Sequence, residues 1–229
     1  MNVKKLALTA IILVLLSHNI CFGFDDEGFQ FWTGTSLSAK LDEHTKFTFT
    51  EEFRFGNDGG NLYRHHSDFG LLYMSFLDNV DLGFNYMQVF EKDGNDEWRQ
   101  EHRPHLNLKV RGKLFGLNVV NRSRFEFRDR ENKDNLWRYR HKFTINRPFE
   151  FLDSDAVQKL RERYKLYVAD EVFFDCDGNG YARNRLYSGV LINLADNIAG
   201  DLYFLWQSDE DNGGTKDIHV LGFKLIISF

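Results

Sequence analysis

The sequence predicts an all-β fold, an antiparallel transmembrane β-barrel of about 10–12 strands with short periplasmic turns and longer, acidic outer loops. Three observations lead to this prediction. Apolar and polar side chains alternate with a period of two along most of the chain, as they do when successive side chains point to opposite faces of a strand. The alternating segments are roughly 10–14 residues long, whereas strands of soluble proteins usually have about 5–6 residues. Short and longer connections follow each other in turn between these segments.

The composition excludes several other classes of protein. Aromatic residues make up 16% of the 229 residues, which is too many for a disordered chain. Charged residues make up 28% and the mean hydropathy is −0.45, which is too polar for a helical membrane protein. The net charge of −5 argues against a nucleic-acid partner, because nucleic-acid-binding domains are normally basic.

The first 23 residues have the features of a cleaved secretory signal peptide. Lys4 and Lys5 precede an apolar stretch over residues 6–16, and small residues lie just before the expected cleavage site after residue 23. The apolar stretch is shorter than the roughly 20 residues that a membrane-spanning helix needs. Residues 24–229 are then expected to form a single barrel domain in the outer membrane of a Gram-negative bacterium.

Taken in order, the alternation defines eleven segments. In the second segment, Phe47, Phe49 and Phe53 share one face, while Thr48 and Glu52 share the other. Phenylalanine on one side and charge on the other is the pattern of a strand with one face toward lipid. The segments cover roughly residues 29–41, 46–55, 62–76, 80–91, 97–110, 116–128, 136–147, 164–174, 181–194, 198–208 and 217–229.

The connections are expected to separate the two ends of the barrel. Four are short, at residues 42–45, 77–79, 111–115 and 195–197. Five are longer and are acidic or rich in glycine, at residues 56–61, 92–96, 129–135, 175–180 and 209–216. Residues 148–163 are an exception and are predicted to contain a short helix.

An odd number of strands conflicts with the even numbers normal for bacterial single-chain barrels. Ten and twelve strands are therefore both open, and twelve is favoured. Pro104 lies in the middle of the fifth segment, where it removes a donor from the hydrogen-bond ladder. We expect a bulge or a change of register there.

The polar faces of the segments give the lumen a basic character. They carry seventeen lysines and arginines but eight acidic residues. An arginine facing lipid at the membrane midplane costs about 2–4 kcal/mol, so these side chains are assigned to the interior. The residues predicted to line the lumen are Arg99, Glu101, Arg103, Arg122, Arg124, Glu126, Arg128, Arg138, Arg140, Glu171, Arg183 and Arg185.

Two interpretations of this interior remain open. In the first, the basic lumen is a narrow channel that favours small anionic solutes, as charged rings do in other pores. In the second, an Arg–Glu network plugs a structural barrel. In either case the chain is expected not to be an enzyme, and its partners are outer-membrane lipid and, for the channel, small anionic solutes.

A lipid-modifying enzyme is a further alternative. His65 and Ser67 are two residues apart on one strand face, and pairing of Phe55 with Tyr63 would place Glu51 opposite Ser67. Serine, histidine and a carboxylate are the groups used in nucleophilic catalysis. The His-x-Ser spacing is similar to that of outer-membrane lipid hydrolases, but a single such pair is a weak signal.

Other motifs point to no cofactor or metal. Residues 175–180 match the opening of a calcium loop, but position twelve is Leu186 instead of the bidentate glutamate, so an acidic turn is favoured. The histidines have no zinc-type spacing, and phosphate-loop fingerprints are absent. A soluble β-sandwich or lipocalin-like binder is a last alternative, which would place phenylalanine inside and charge outside.

The order of segments resembles a bacterial family described as domain of unknown function 2490. The resemblance covers about residues 29–229. It is carried by Trp32, Lys40, Leu41, residues 53–55, 66–71, 121–128, 138–140, 170–173 and 183–186. It implies an outer-membrane barrel and brings no established activity. The terminal Phe229 also resembles the signal by which outer-membrane barrels engage the barrel-assembly machinery.

Overall fold

The computed structural model describes residues 28–56, 59–148, 163–177, 180–211 and 214–229. The described residues contain eleven strands. These are β1 (Phe29–Lys40), β2 (Thr45–Gly56), β3 (Asn61–Leu77), β4 (Val80–Lys92), β5 (Trp98–Leu114), β6 (Leu117–Arg130), β7 (Leu136–Pro148), β8 (Tyr164–Asp175), β9 (Gly180–Ala195), β10 (Ile198–Asp211) and β11 (Gly214–Ser228). They form one closed barrel, which confirms the predicted fold class.

The barrel closes through a parallel seam between its first and last strands. Every consecutive pair of strands is antiparallel, whereas β1 pairs with β11 in parallel, from Phe29 opposite His219 to Ser38 opposite Ser228. With an odd number of alternating strands the first and last run in the same direction, so only a parallel ladder can join them. The expectation of an even number, and the preference for twelve, is wrong for the described chain.

The strand positions agree closely with the alternating segments, but the strands run further into the connections than expected. Strand β10 continues to Asp211 and β11 begins at Gly214, so the predicted 209–216 connection shrinks to two residues. Four of the five connections at this end still have four or five residues, whereas three of the four described turns at the other end have two. The predicted contrast in length is therefore confirmed, although it is smaller than expected. The alternation of apolar and polar residues does not show where the hydrogen-bonded strands end, because the pattern can continue into the turn residues.

Pro104 does not produce the expected bulge. It pairs with Tyr86 of β4 in an unbroken register. On the other side, pairing with β6 omits Arg103 and Pro104, and the register is the same before and after the gap. Pro104 has no backbone N–H, so hydrogen bonds of the ladder are lost near it, but the register of the strand does not change.

The two faces of the barrel wall have opposite chemistry. Phe69, Leu71 and Phe84 point outward and are exposed, whereas Arg103 and Glu126 point inward and are buried. This arrangement contradicts the soluble alternative, which required phenylalanine inside.

The inner wall has an apolar side and a charged side. The apolar side is formed by β1 and β8–β11, with Trp32, Ala169, Tyr187, Tyr203, Leu205, Ile218 and Val220 in contact as one cluster. The buried charged residues lie mainly on β2–β9. The charged groups therefore share the lumen with aromatic and aliphatic side chains.

Two predictions fall outside the described residues. These are the signal peptide at residues 1–23 and the short helix within residues 148–163, of which 149–162 are not described. The described residues contain no helix that is both long and apolar enough to cross a bilayer.

Candidate functional site

The lumen contains a polar cavity of about 640 Å³. Its lining includes Lys92 and Asp93 at the β4–β5 connection, and Glu131 and Lys133 at the β6–β7 connection. The cavity therefore begins at the acidic-loop end of the barrel. It continues inward as far as Lys224 on β11.

The predicted lumen-lining residues converge on this cavity. Eleven of the twelve line it: Arg99, Glu101, Arg103, Arg122, Arg124, Arg128, Arg138, Arg140, Glu171, Arg183 and Arg185. The twelfth, Glu126, is 0% exposed and lies behind the arginines. The twelve side chains thus lie on the inner face of the wall, at different depths.

A compact ion-pair cluster lies between β5 and β6. Arg128 donates from Nε and Nη2 to the two carboxylate oxygens of Glu101, at 2.5 and 3.0 Å. Arg103 donates to the same carboxylate at 2.6 Å and lies 3.9 Å from Glu126. Two carboxylates here face two guanidiniums, so this part of the wall is balanced in charge.

Glu171 is the centre of a second cluster, where the balance is different. Its Oε1 accepts from Arg122 at 2.6 Å and from Arg140 at 2.8 Å. Its Oε2 accepts from the hydroxyl of Tyr187 at 3.1 Å. Arg140 also reaches Glu126 at 3.3 Å. Glu171 is buried and shares its single charge among several cations.

Aromatic rings support the arginines in a way that the sequence analysis missed. Phe173 has four guanidiniums near its ring, with Arg140 at 4.5 Å and Arg185 at 4.9 Å from the centroid, and Arg138 and Arg183 further out. Cation–π attraction is strongest where water is excluded, as it is around this buried ring. The sequence does contain a signal for this arrangement. Phe173 is two residues from Glu171 on the same strand, so strand alternation places both side chains on the lumen face.

Two carboxylates that were predicted to lie in the acidic loops instead form ion pairs with arginines of the lumen. Asp175 accepts two hydrogen bonds from Arg138, one of them at 2.7 Å. Asp209 likewise accepts two from Arg183, one at 3.1 Å. Both lie within strands that extend further than predicted, which is why their partners were not recognised.

These carboxylates do not neutralise the wall. Among the described residues, sixteen lysines and arginines line the cavity, against eight aspartates and glutamates. Glu126, Asp175 and Asp209 lie behind this lining and reduce the excess without removing it. The lining of the cavity therefore carries an excess of positive charge.

The three residues of the enzyme alternative do come together, on the outward face. Glu51 is opposite Ser67, and Ser67 Oγ donates to Glu51 Oε2. Nδ1 of His65 lies 3.6 Å from Glu51 Oε1, and its ring stacks on Phe90. The carboxylate thus lies between the serine and the histidine, whereas in a catalytic triad the histidine lies in the middle.

The presumed Phe55–Tyr63 pair is wrong, because a bulge after Arg54 pairs Phe55 with Leu62. The register beyond the bulge still gives the Glu51–Ser67 pair. For the calcium-like motif, Asp175 is already engaged by Arg138. The described residues contain no group of three or more His, Cys, Asp or Glu side chains that could hold a metal ion.

Comparison with known proteins identifies the family. A comparison with curated proteins finds no match. Among solved structures, the chain is similar to the outer-membrane expressed OmpT of Vibrio cholerae, with a TM-score of 0.37 and 10% sequence identity. That similarity covers 76% of this chain and 60% of OmpT, so this chain spans less than two thirds of that protein. The family model described as "Protein of unknown function (DUF2490)" matches residues 29–218, and the chain therefore belongs to that family.

Proposed function

We propose that this chain is an outer-membrane β-barrel whose basic lumen admits small anionic solutes and performs no catalysis. The observation that carries the proposal is the excess of cationic over anionic side chains in the lining of the cavity. Lumen charge of one sign selects solutes of the other sign in membrane pores.

The outward face supports a location in a membrane. Large apolar side chains are exposed on the outer face of neighbouring strands, among them Phe69, Leu71, Phe84, Leu106 and Val168. A soluble protein seldom exposes so much contiguous apolar surface, whereas a membrane barrel carries an apolar band about 25 Å tall. Closure also pairs each of the described strands with a neighbour on both sides, so none of them presents an open edge, which lipid could not solvate.

The plugged barrel remains the second candidate function, because much of the lumen charge is paired. Arg128 with Glu101 and Arg138 with Asp175 are bidentate pairs that hold their side chains in place. The unequal numbers of cations and carboxylates favour the anion path, since a structural network gains nothing from unneutralised buried charge.

Conductance of the folded protein in a planar bilayer tests the proposal. Under a KCl gradient we expect a reversal potential of anion-selective sign. Arg122→Glu reverses the charge of a partly exposed lining residue and should shift the potential toward cation selectivity. Lys216→Glu is the control, because Lys216 is exposed on β11 and does not line the cavity. Absence of any conductance, with a barrel confirmed by heat-modifiable gel migration, would instead support the plugged barrel.

Phe229 is proposed to engage the barrel-assembly machinery. Phe229 is 72% exposed, and its N–H donates to the carbonyl of Ser38 on β1 at 2.8 Å. Its side chain is therefore available while its backbone completes the seam. We expect Phe229→Ala to lower the amount of folded barrel in cells, with unchanged folding of purified protein into detergent.

A further inference from the structure

One cross-strand row in the lumen contains three basic residues and one acidic residue. The register places Arg122 of β6 opposite Lys142 of β7, Lys142 opposite Glu171 of β8, and Glu171 opposite Arg185 of β9. Residues directly opposite each other have Cβ atoms about 4.5–5.5 Å apart, and like charges in such a pair destabilise a sheet. The row is thus an unfavourable arrangement unless something else neutralises it.

The charge of Glu171 is already used. Its Oε1 accepts from Arg122 and from Arg140, and its Oε2 accepts from Tyr187. Lys142 and Arg185 lie opposite Glu171 in the neighbouring ladders, so this one carboxylate lies among four cations.

Two of these cations have no carboxylate of their own. Arg185 donates from Nε to the neutral Gln207 at 2.7 Å, and no carboxylate of the described chain lies within ion-pair distance of it. Lys142 has its Nζ 3.5 Å from the centroid of the Tyr187 ring and likewise forms no ion pair with a described residue. Arg185 is buried and Lys142 is partly buried, and a cation shielded from water without a counter-ion is destabilising. Both side chains line the cavity, where a solute can supply the missing charge.

The surroundings limit the shape of that solute. The nearby Phe173 and Trp32 rings are flanked by arginines, with Arg185 at 4.9 and 5.0 Å from their respective centroids. Their faces are therefore not free to stack on an aromatic solute. The three donors belong to different strands and line the same cavity. A tetrahedral oxyanion presents its oxygens in several directions, so groups on different strands can each donate to it, whereas a carboxylate presents two oxygens in one plane.

We propose that Arg122, Lys142 and Arg185 form a binding site for a phosphoryl group, a compact oxyanion that carries up to two negative charges. This inference rests on the proposed function in one respect, namely that anionic solutes enter the cavity. It adds the chemical class of the solute and the residues that recognise it. The site lies inside the barrel and opens to the acidic-loop end, so free phosphate or a soluble phosphate ester reaches it, and a lipid headgroup outside the wall does not.

Isothermal titration of the detergent-folded full chain with inorganic phosphate tests the site. We expect phosphate to bind and a tenfold excess of chloride to displace it only weakly. Lys142→Met and Arg185→Gln should each weaken phosphate binding about tenfold or more, the loss expected for one charge-assisted contact. Lys216→Met is the matched control, since it removes an exposed lysine outside the cavity.

The variants should fold, because each removes a charge that has no carboxylate partner among the described residues, and heat-modifiable migration checks this. Should Arg185→Gln fail to fold, Arg185→Lys keeps the charge but loses the planar fork, and it should still weaken phosphate binding.

The outcomes separate this site from the proposed function. Phosphate binding that Lys142→Met and Arg185→Gln leave unchanged, or succinate binding as tight as that of phosphate, would overturn the site. Anion-selective conductance without phosphate binding would overturn the site and leave the proposed function standing. Phosphate binding without conductance would support the site and refute the path through the barrel.

Discussion

The guanidinium carbon of Arg54 lies 3.6 Å from the centroid of the Trp32 ring. The same guanidinium donates from Nε and Nη2 to Glu52 Oε1, at 2.9 and 2.8 Å. Arg54 therefore joins the apolar side of the lumen, to which Trp32 belongs, with the charged side. Trp32, Arg54 and Glu52 are all buried. The two charged side chains therefore depend on each other and on the Trp32 ring to offset the loss of contact with water.

The Arg54–Glu52 pair gives the first prediction. Arg54→Gln should lower the free energy of unfolding by about 3–5 kcal/mol, because Lys224, at 3.6 Å, is then the one charged counter-ion that the described residues offer to the buried Glu52 carboxylate. The double variant Glu52→Gln/Arg54→Gln should recover part of that loss. Urea unfolding of the barrel in lipid vesicles measures both. Equal losses in the single and double variants would mean that the pair is not coupled.

Close packing at Gly222 gives the second prediction. A Cβ atom at this position would collide with the ring of Tyr203 on the neighbouring strand. Gly222→Ala should therefore destabilise the barrel by about 1–3 kcal/mol, the usual cost of overpacking. Gly112→Ala is the control, because its Cβ would meet Val119 at an ordinary 3.5 Å. The explanation fails if both variants unfold at the same urea concentration.

The connection between β4 and β5 gives a prediction on pH. The hydrogen bond from Arg99, at 2.9 Å, and those from the N–H groups of Asn95 and Glu97 lower the pKa of Asp93 below its usual 3.8. A lowered pKa in the folded state means that the ordering of this loop is fully present above pH 3.8 and is lost as the pH falls through the folded value.

Hydrogen-exchange protection of the Asn95 and Glu97 amides measures this ordering. Protection should persist at pH 4–5 in the wild type. Asp93→Asn should lower it across the pH range, because a neutral amide is a weaker acceptor than a carboxylate. Equal protection in both proteins would show that the carboxylate does not order the loop.

The outward trio of Glu51, His65 and Ser67 gives the fourth prediction. Because Glu51 separates the other two, we expect Ser67→Ala to leave the lipid composition of the membrane unchanged. The effect on stability should not exceed about 1.5 kcal/mol, the usual net value of one hydrogen bond. Mass spectrometry of lipids from cells that express each variant is the measurement. A lipid change that the wild type produces and Ser67→Ala abolishes would establish an enzyme.

The sequence predicted most of the fold because strand alternation is a local property. The side-chain period of two follows from backbone geometry, so Arg103, Glu126 and Glu171 could be assigned to the lumen without knowledge of any neighbour. The Glu51–Ser67 pair could also be predicted, although from an incorrect starting pair, because the bulge after Arg54 affects only the end of the ladder. The family resemblance is confirmed by the match over residues 29–218.

The partners of each charge could not be predicted in the same way. Arg138 with Asp175 and Arg183 with Asp209 depend on how far each strand extends, and local alternation does not encode strand ends. The arginines around Phe173 come from β7 and β9, on either side of its own strand. Their convergence depends on the registers of both neighbouring ladders.

The sequence by itself determined that this chain forms a barrel with an apolar exterior and a basic interior, because each strand carries that information in its own alternation. The tertiary structure alone decided that eleven strands close through a parallel seam, and that Arg122, Lys142, Glu171 and Arg185 stand in one row. Closure and the row both depend on registers accumulated across several strands, and a shift of one residue in any of them would turn its side chains to the opposite face.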